Sequence, residues 1–200
     1  MGSLAVLLQG LNTGERMSRE EFLRRWDELP DLKKAELIDG VVYVASPVSM
    51  DHAEHENLVG FWLRAYTLRM PGCRCGNNAT WLMLESAPQA DSFLAYATGQ
   101  GDFSGTYGQG APELTAEICV SSSARDFGPK LALYQRAGVR EYITFETKLR
   151  RITWRSLGED GSYREITPDS DGLLPSRVFP GLTLNAEAFW LGDATRVSNP

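Results

Sequence analysis

The chain has 200 residues, of which 42% are hydrophobic and 23% charged, with a formal net charge of −6. That length and composition fit one globular domain that can build a hydrophobic core without metal or disulfide staples. The acidic balance excludes a general nucleic-acid-coating surface, so a nucleic-acid partner would have to meet a local basic face. In chain order, "LAVLLQGL" near the N-terminus is too short to span a membrane and lacks the basic n-region of a signal peptide, so neither a membrane nor a leader is expected. "SREEFLRRWDELP" reads as an amphipathic helix: Ser18 and Glu21 have capping-box spacing, Phe22, Leu23, Trp26 and Leu29 form the apolar side, and Pro30 ends it. "KAELIDGVVYVAS" alternates around Asp39-Gly40, a favoured two-residue hairpin turn. "DHAEHENLVGFWLRAYTLRMPG" predicts a second helix with Leu58, Phe61, Trp62 and Tyr66 as its buried stripe.

"TWLMLES" and "QADSFLAYA" are strand candidates, and the glycine-rich residues 97–112 predict a loop. The strand "LTAEICV" follows, then a polar turn and a helix from about Phe127 to Ala137 capped by Gly138. "EYITFET" reads as a strand, "RITWRSLG" and "SYREITP" as a hairpin, and "VFPGLTLNAEAFWLGD" as a short strand with a closing helix. Helices alternating with strands in this order indicate an α/β (α+β) protein with a mixed sheet. We expect one domain over 18–193, an N-terminal extension over 1–17 and a C-terminal tail over 194–200.

Three acids are poorly explained by solvation alone. Glu117 lies in a run that is otherwise apolar on both faces apart from Thr115, as in a central strand, where a lone charge is costly unless paired, protonated or metal-bound. Asp91 opens the preceding strand after Gln89, and the glycine-rich loop would return the chain beside it. Two carboxylates brought together raise the pKa of one unless a cation bridges them, and oxygen ligands suit Mg²⁺ or Mn²⁺. Glu36 shares a strand face with Ile38; alone it reads as solvent-facing. Lys130, one of only four lysines, sits in the first turn of its helix with a side chain leaning back toward the Glu117 strand. Its amine there would steady a nucleophile or phosphate charge; the rival reading is a surface lysine, although cations are disfavoured at a helix N-terminus.

"AELIDGVVY", "PQADSFL", "GAPELTAEICVSSSARDFGPKLALYQRAGVREY" and "VFPGLTL" together resemble the Uma-type family of putative restriction endonucleases, a bacterial branch of the PD-(D/E)xK nuclease superfamily. The resemblance runs from about Ser18 to Asp193 and is most specific from Gly110 to Tyr142. It implies a restriction-endonuclease-like core, a mixed sheet between helices in αβββαβ order. It also implies Asp91, Glu117, Lys130 and Glu36 as the catalytic set, with Lys130 matching a lysine moved from strand to helix. Asp91, Glu117 and the backbone carbonyl of Ile118 would hold Mg²⁺, with Mn²⁺ as the alternative. Gln89 matches the polar residue before the family's Pro-Asp pair, and His55 a histidine before "LVG" that lines the cleft or caps the helix. Two departures stand out: Ala90 replaces the proline before the Asp, and Cys119 stands where the strand lysine would be.

The remaining signals are weaker. His52 and His55 have neither an HExxH pattern nor an evident third ligand. Ser121 and Arg125 would contact phosphate, or merely cap the helix that follows. The glycine-rich loop lacks Walker spacing, and Arg24-Arg25 and Arg150-Arg151 are small basic clusters. Cys73, Cys75 and Cys119 are an odd set without zinc-ribbon spacing and point to a reducing compartment, hence the cytoplasm. The expected activity is metal-dependent hydrolysis of phosphodiester bonds in DNA by a homodimer. The rival is a catalytically inactive domain of the same fold acting as a binding or assembly protein. A carboxylate-pair hydrolase on another substrate lacks a supporting motif.

Overall fold

The computed structural model describes residues 10–120 and 126–198. Along the chain run α1 (Arg19–Asp27), β1 (Ala35–Ile38), β2 (Val41–Val44), α2 (Met50–Arg69), β3 (Cys73–Leu82), β4 (Gln89–Tyr96), β5 (Gly108–Gln109) and β6 (Leu114–Cys119). They are followed by α3 (Pro129–Ala137), β7 (Glu141–Glu146), β8 (Arg151–Leu157), β9 (Tyr163–Glu165), β10 (Leu174–Pro175), β11 (Thr183–Leu184), α4 (Ala186–Trp190) and α5 (Ala194–Ser198). Seven strands form one mixed sheet in the order β5-β3-β4-β6-β7-β8-β9. β6 and β7 are parallel, whereas β3-β4, β4-β6 and β7-β8 are antiparallel. Apart from the two-residue β5, the central run α2-β3-β4-β6-α3-β7 is the expected αβββαβ order.

Local chemistry accounts for most elements. The Ser18 hydroxyl accepts the Glu21 amide at 3.2 Å and caps α1. Asp39 and Gly40 both have positive φ, 49° and 75°, as a two-residue primed turn requires. Gly138, at φ 81°, ends α3 in the left-handed conformation.

One sheet face packs against α2, α4 and α5 through Val59, Trp62, Tyr66, Ile118, Phe145 and Phe189. The other face meets α3 through Phe93, Leu133, Tyr134 and Tyr142, and Ile38 of the β1-β2 hairpin joins this cluster. Helix α1 closes the hairpin's far side with Phe22 against Leu37 and Val42. The "VFPGLTL" segment serves this core: Trp62 Nε1 donates to the Thr183 carbonyl at 2.9 Å, and Tyr66 donates to that of Pro180 at 3.1 Å.

Some expectations change. The buried stripe of α2 is Val59, Trp62, Leu63 and Tyr66, while Phe61 is 48% exposed. Leu58 is only partly buried, so the stripe is rotated by one position from the expected one. β3 begins at Cys73, well before Thr80, because pairing with the apolar β4 imposes extended structure on a polar "CRCGNN" run of low intrinsic strand preference. Ahead of Ser18, the amides of Gly14 and Met17 donate to the carbonyls of Val42 and Gly40, tying that segment to the hairpin. Beyond Asp193, α5 buries Val197 in the core. Among the described residues, no helix is long and apolar enough to cross a membrane.

Candidate functional site

The sheet is interrupted at Asp91. On its β3 side, Asn77 pairs with Ser92 and Ala79 with Ala90, but the step between them is unpaired and Asn78 has φ 51°. On its β6 side, the ladder ends at Ser92 opposite Ala116. Extending that register by one step would set Asp91 across from Glu117 on the same face. Instead of a ladder bond, the Ile118 amide donates to Asp91 Oδ2 at 2.9 Å. The carboxylate thus fills the gap where the strands part, and the parting opens a cleft of ≈ 310 Å³. Lys34, Glu36, His52, Asp91, Glu117, Asp126 and Lys130 supply its polar wall, and Val44 to Ser49, leading into α2, form its rim.

Lys130 is 1% exposed and reaches two acids at once, Glu36 Oε1 at 2.8 Å and Glu117 Oε1 at 2.6 Å. The lean of its side chain toward the N-terminus of α3 carries it there, and the paired acids offset its unfavourable place at the helix start. Glu36 is buried rather than solvent-facing, and its Oε1 also accepts the Gln89 amide at 2.8 Å. Tyr134, one turn along α3 from Lys130, donates to Glu117 Oε1 at 2.9 Å.

Burial is the largest influence on Glu117 and, against the attraction of Lys130, pushes its carboxyl up to about 8. Burial also opposes the charge on Lys130, but Glu117 and then Glu36 outweigh it and hold the ammonium well above its ordinary value. Asp91 follows a different balance. Burial raises its pKa, but His52, then Lys34 and Lys130, bring it well below the usual carboxylate range.

His52 and Glu56 complete the region from α2. The Ser49 hydroxyl accepts the His52 amide at 3.2 Å and fixes the first turn. His52 Nε2 then lies 3.5 Å from both Glu56 Oε2 and Asp91 Oδ1, a buried atom without a hydrogen-bond partner. Asp91 first and Glu56 second raise the imidazole to about 9. Ligand atoms of His52, Glu56 and Asp91 all lie within 4.8 Å of one another. The buried Asp91 and half-buried Glu56 carboxylates beside an imidazole nitrogen that has no hydrogen-bond partner suit a divalent ion, so the donor set fits a metal. Lys34 Nζ closes the group at 2.8 Å from Asp91 Oδ1 and 2.7 Å from Asn78 Oδ1.

Of the residues expected at the site, Asp91, Glu117, Ile118, Lys130 and Glu36 line this one cleft. Gln89 is buried behind it, its side-chain amide 3.4 Å from Thr80 Oγ1, and takes part through its backbone. His55 does not face the cleft: its ring packs 5.5 Å from both Phe189 and Trp190. The histidine on the wall is His52, three residues earlier and therefore nearly a full turn away on the helix. Ser121 and Arg125 lie outside the described residues. Sequence reasoning missed Lys34, Glu56 and Asp126. The i, i+4 spacing of His52 and Glu56, which puts both on one helix face, was the available signal for that pair. Cys119, in place of a strand lysine, turns its thiol to Asp126 Oδ2 at 3.5 Å, and burial pushes the thiol's pKa far up.

Among curated proteins, none matches the chain in sequence. A crystal structure from Anabaena variabilis ATCC 29413, described as a putative nuclease belonging to DUF820, superposes with a TM-score of 0.70 at 14% identity. The match covers 88% of this chain and 98% of that one, and it establishes a shared fold. The family model Uma2, described as "Putative restriction endonuclease", matches residues 19–187, and the chain belongs to that family.

Proposed function

We propose that the protein is a metal-dependent endonuclease that hydrolyses phosphodiester bonds in DNA at the Asp91–Glu117–Lys130 cleft. The observation that carries the reading is the buried Lys130 ammonium on the same cleft wall as Asp91 and Glu117, 2.6 Å from the Glu117 carboxylate. The Uma2 family and the nuclease-type fold support it. Asp91 and Glu117, with the backbone at Ile118, are the residues that would hold a divalent ion of the Mg²⁺ or Mn²⁺ class. When bound, such an ion activates water and offsets charge on a phosphate. Lys130 places a fixed positive charge beside the attacking water and the developing oxyanion. Glu36, 2.8 Å from the same ammonium, helps hold Lys130 in that position, and Tyr134 orients the Glu117 carboxylate. Hydrophobic packing on both sheet faces keeps this charge set away from bulk water, where each contact would be weaker. The cytoplasm as location and a homodimer as acting form belong to the same proposal.

One observation favours a second reading, a catalytically inactive domain that binds rather than cuts. Lys130 is engaged by two carboxylates, so its charge is already compensated within the protein. The test is cleavage of single- and double-stranded DNA with Mg²⁺ or Mn²⁺, comparing wild type with Asp91→Ala and Lys130→Ala. The nuclease reading expects a loss of at least about a hundredfold in either variant, the scale of removing an electrostatic catalytic group. Cleavage equal in all three proteins would reject it, and no cleavage by wild type would leave the binding reading.

A further inference from the structure

The α2 side of the cleft carries an arrangement that the Asp91–Glu117–Lys130 set does not require. Each of its two carboxylates has one oxygen fixed by protein amides and the other turned inward. Asp91 Oδ2 accepts the Ile118 amide, leaving Oδ1 toward His52. Glu56 Oε1 accepts from the side chains of Asn77 and Asn78, leaving Oε2 toward the same imidazole. Such outer partners are what orient ligands at metal centres. His52 Nε2 is buried and has no hydrogen-bond partner, although it faces both oxygens at 3.5 Å. Two ligand atoms each about 2.0–2.2 Å from one ion stand about 2.8–3.1 Å apart at octahedral angles and about 3.3–3.6 Å apart at tetrahedral ones. At 3.5 Å, the imidazole and each carboxylate are therefore spaced as adjacent corners of a tetrahedral shell.

We propose that His52 Nε2, Glu56 Oε2 and Asp91 Oδ1 bind a divalent first-row transition-metal ion and make this cleft select such an ion over Mg²⁺. The assignment rests on the nuclease reading only in sharing Asp91 with it. An oxygen-only set suits Mg²⁺, whereas an imidazole shifts preference toward transition metals. The ammonium of Lys34, 2.8 Å from the same Asp91 Oδ1, sits where it opposes a second cation. Lys34 therefore weakens the site.

The experiment uses Mn²⁺ alone on the full chain, with binding followed by calorimetry and the bound ion by electron paramagnetic resonance. Wild type is expected to show nitrogen coupling to Mn²⁺ and to bind it more tightly than Mg²⁺. His52→Ala should abolish the nitrogen coupling, weaken Mn²⁺ by about tenfold or more and narrow the preference over Mg²⁺. Glu56→Gln should weaken Mn²⁺ while retaining the nitrogen signal, and Lys34→Met should tighten it. Circular dichroism on every variant confirms that binding is compared between folded proteins. Bound Mn²⁺ without nitrogen coupling, or equal Mn²⁺ affinity in wild type and His52→Ala, overturns the proposal and leaves an imidazolium that merely pairs with two acids. Nitrogen-coupled Mn²⁺ without DNA cleavage would sustain the metal site and reject the nuclease reading. Cleavage in Mg²⁺ that survives His52→Ala, together with uncoupled Mn²⁺, would do the reverse.

Discussion

Lys130 is held by Glu36 and Glu117 at once, and its removal leaves two buried carboxylates facing each other without a cation. Breaking a buried pair from one side costs about 3–5 kcal/mol, much of it the penalty of the charge left behind. Lys130→Ala should lower the unfolding free energy by about that amount in urea titration. Lys130→Met combined with Glu117→Gln, which withdraws both charges, should recover most of the loss. An unchanged urea midpoint in the single variant would show that the acids simply take up protons. Burial of an acid does not by itself mark a site. Glu113 and Glu141 are 2% and 0% exposed, yet both serve the scaffold. Glu113 accepts the Tyr96 and Gln100 amides that anchor the glycine-rich connection, and Glu141 accepts from Ser176 and the Arg177 amide. Glu117 differs in what meets it, a lysine and a tyrosine from the same helix.

At the scale of elements, α3 delivers that lysine and tyrosine, and its placement depends on how it ends. Gly138 adopts φ 81° there, and its amide donates back to Gln135 at 3.2 Å. An alanine in the left-handed region costs about 1–2 kcal/mol. Gly138→Ala should therefore lower thermal stability by several degrees in a calorimetric scan, with the site ion pairs retained; an unaltered midpoint would contradict the strain. The sequence announces this helix end plainly, as it does the Asp39-Gly40 turn, because both are local and each needs one residue type. The break in the sheet at Asp91 is not announced. It depends on Asn78 in one neighbour and the end of the β6 ladder in the other, which come together only when three strands pair. The same reason hides His52, whose role depends on a carboxylate from β4, 39 residues away.

For the molecule as a whole, the charges of the cleft tie stability to pH. Glu117 folds with its pKa raised from 4.5 to about 8, so its contribution is fully present below about 4.5 and is lost as pH rises through 8. His52, raised from 6.5 to about 9, adds stability that is present below 6.5 and lost as pH rises through 9. Asp91 is lowered and works the other way, its contribution being lost in acid below its ordinary 3.8. Metal-free protein should therefore melt at a lower temperature at pH 9 than at pH 6, with the fall spread across that interval. Scanning calorimetry in chelator tests this, and a midpoint that holds or rises from pH 6 to pH 9 would contradict the burial of Glu117. Divalent metal should raise the melting temperature more at pH 8 than at pH 6, because binding must displace protons from these groups.

The αβββαβ order was implied by the family resemblance, whereas hydrophobic periodicity, turn chemistry and a buried acid in an apolar strand determined the α/β (α+β) class with its mixed sheet and drew attention to Asp91, Glu117 and Lys130. These are local patterns, each readable within a dozen residues. Tertiary structure alone decided that Glu36 is buried with Lys130, that His52 and not His55 turns to the cleft, and that Lys34 and Glu56 join Asp91 there. Those outcomes depend on the rotation of α2 and on where strands distant in sequence part, and short-range patterns carry no information about either.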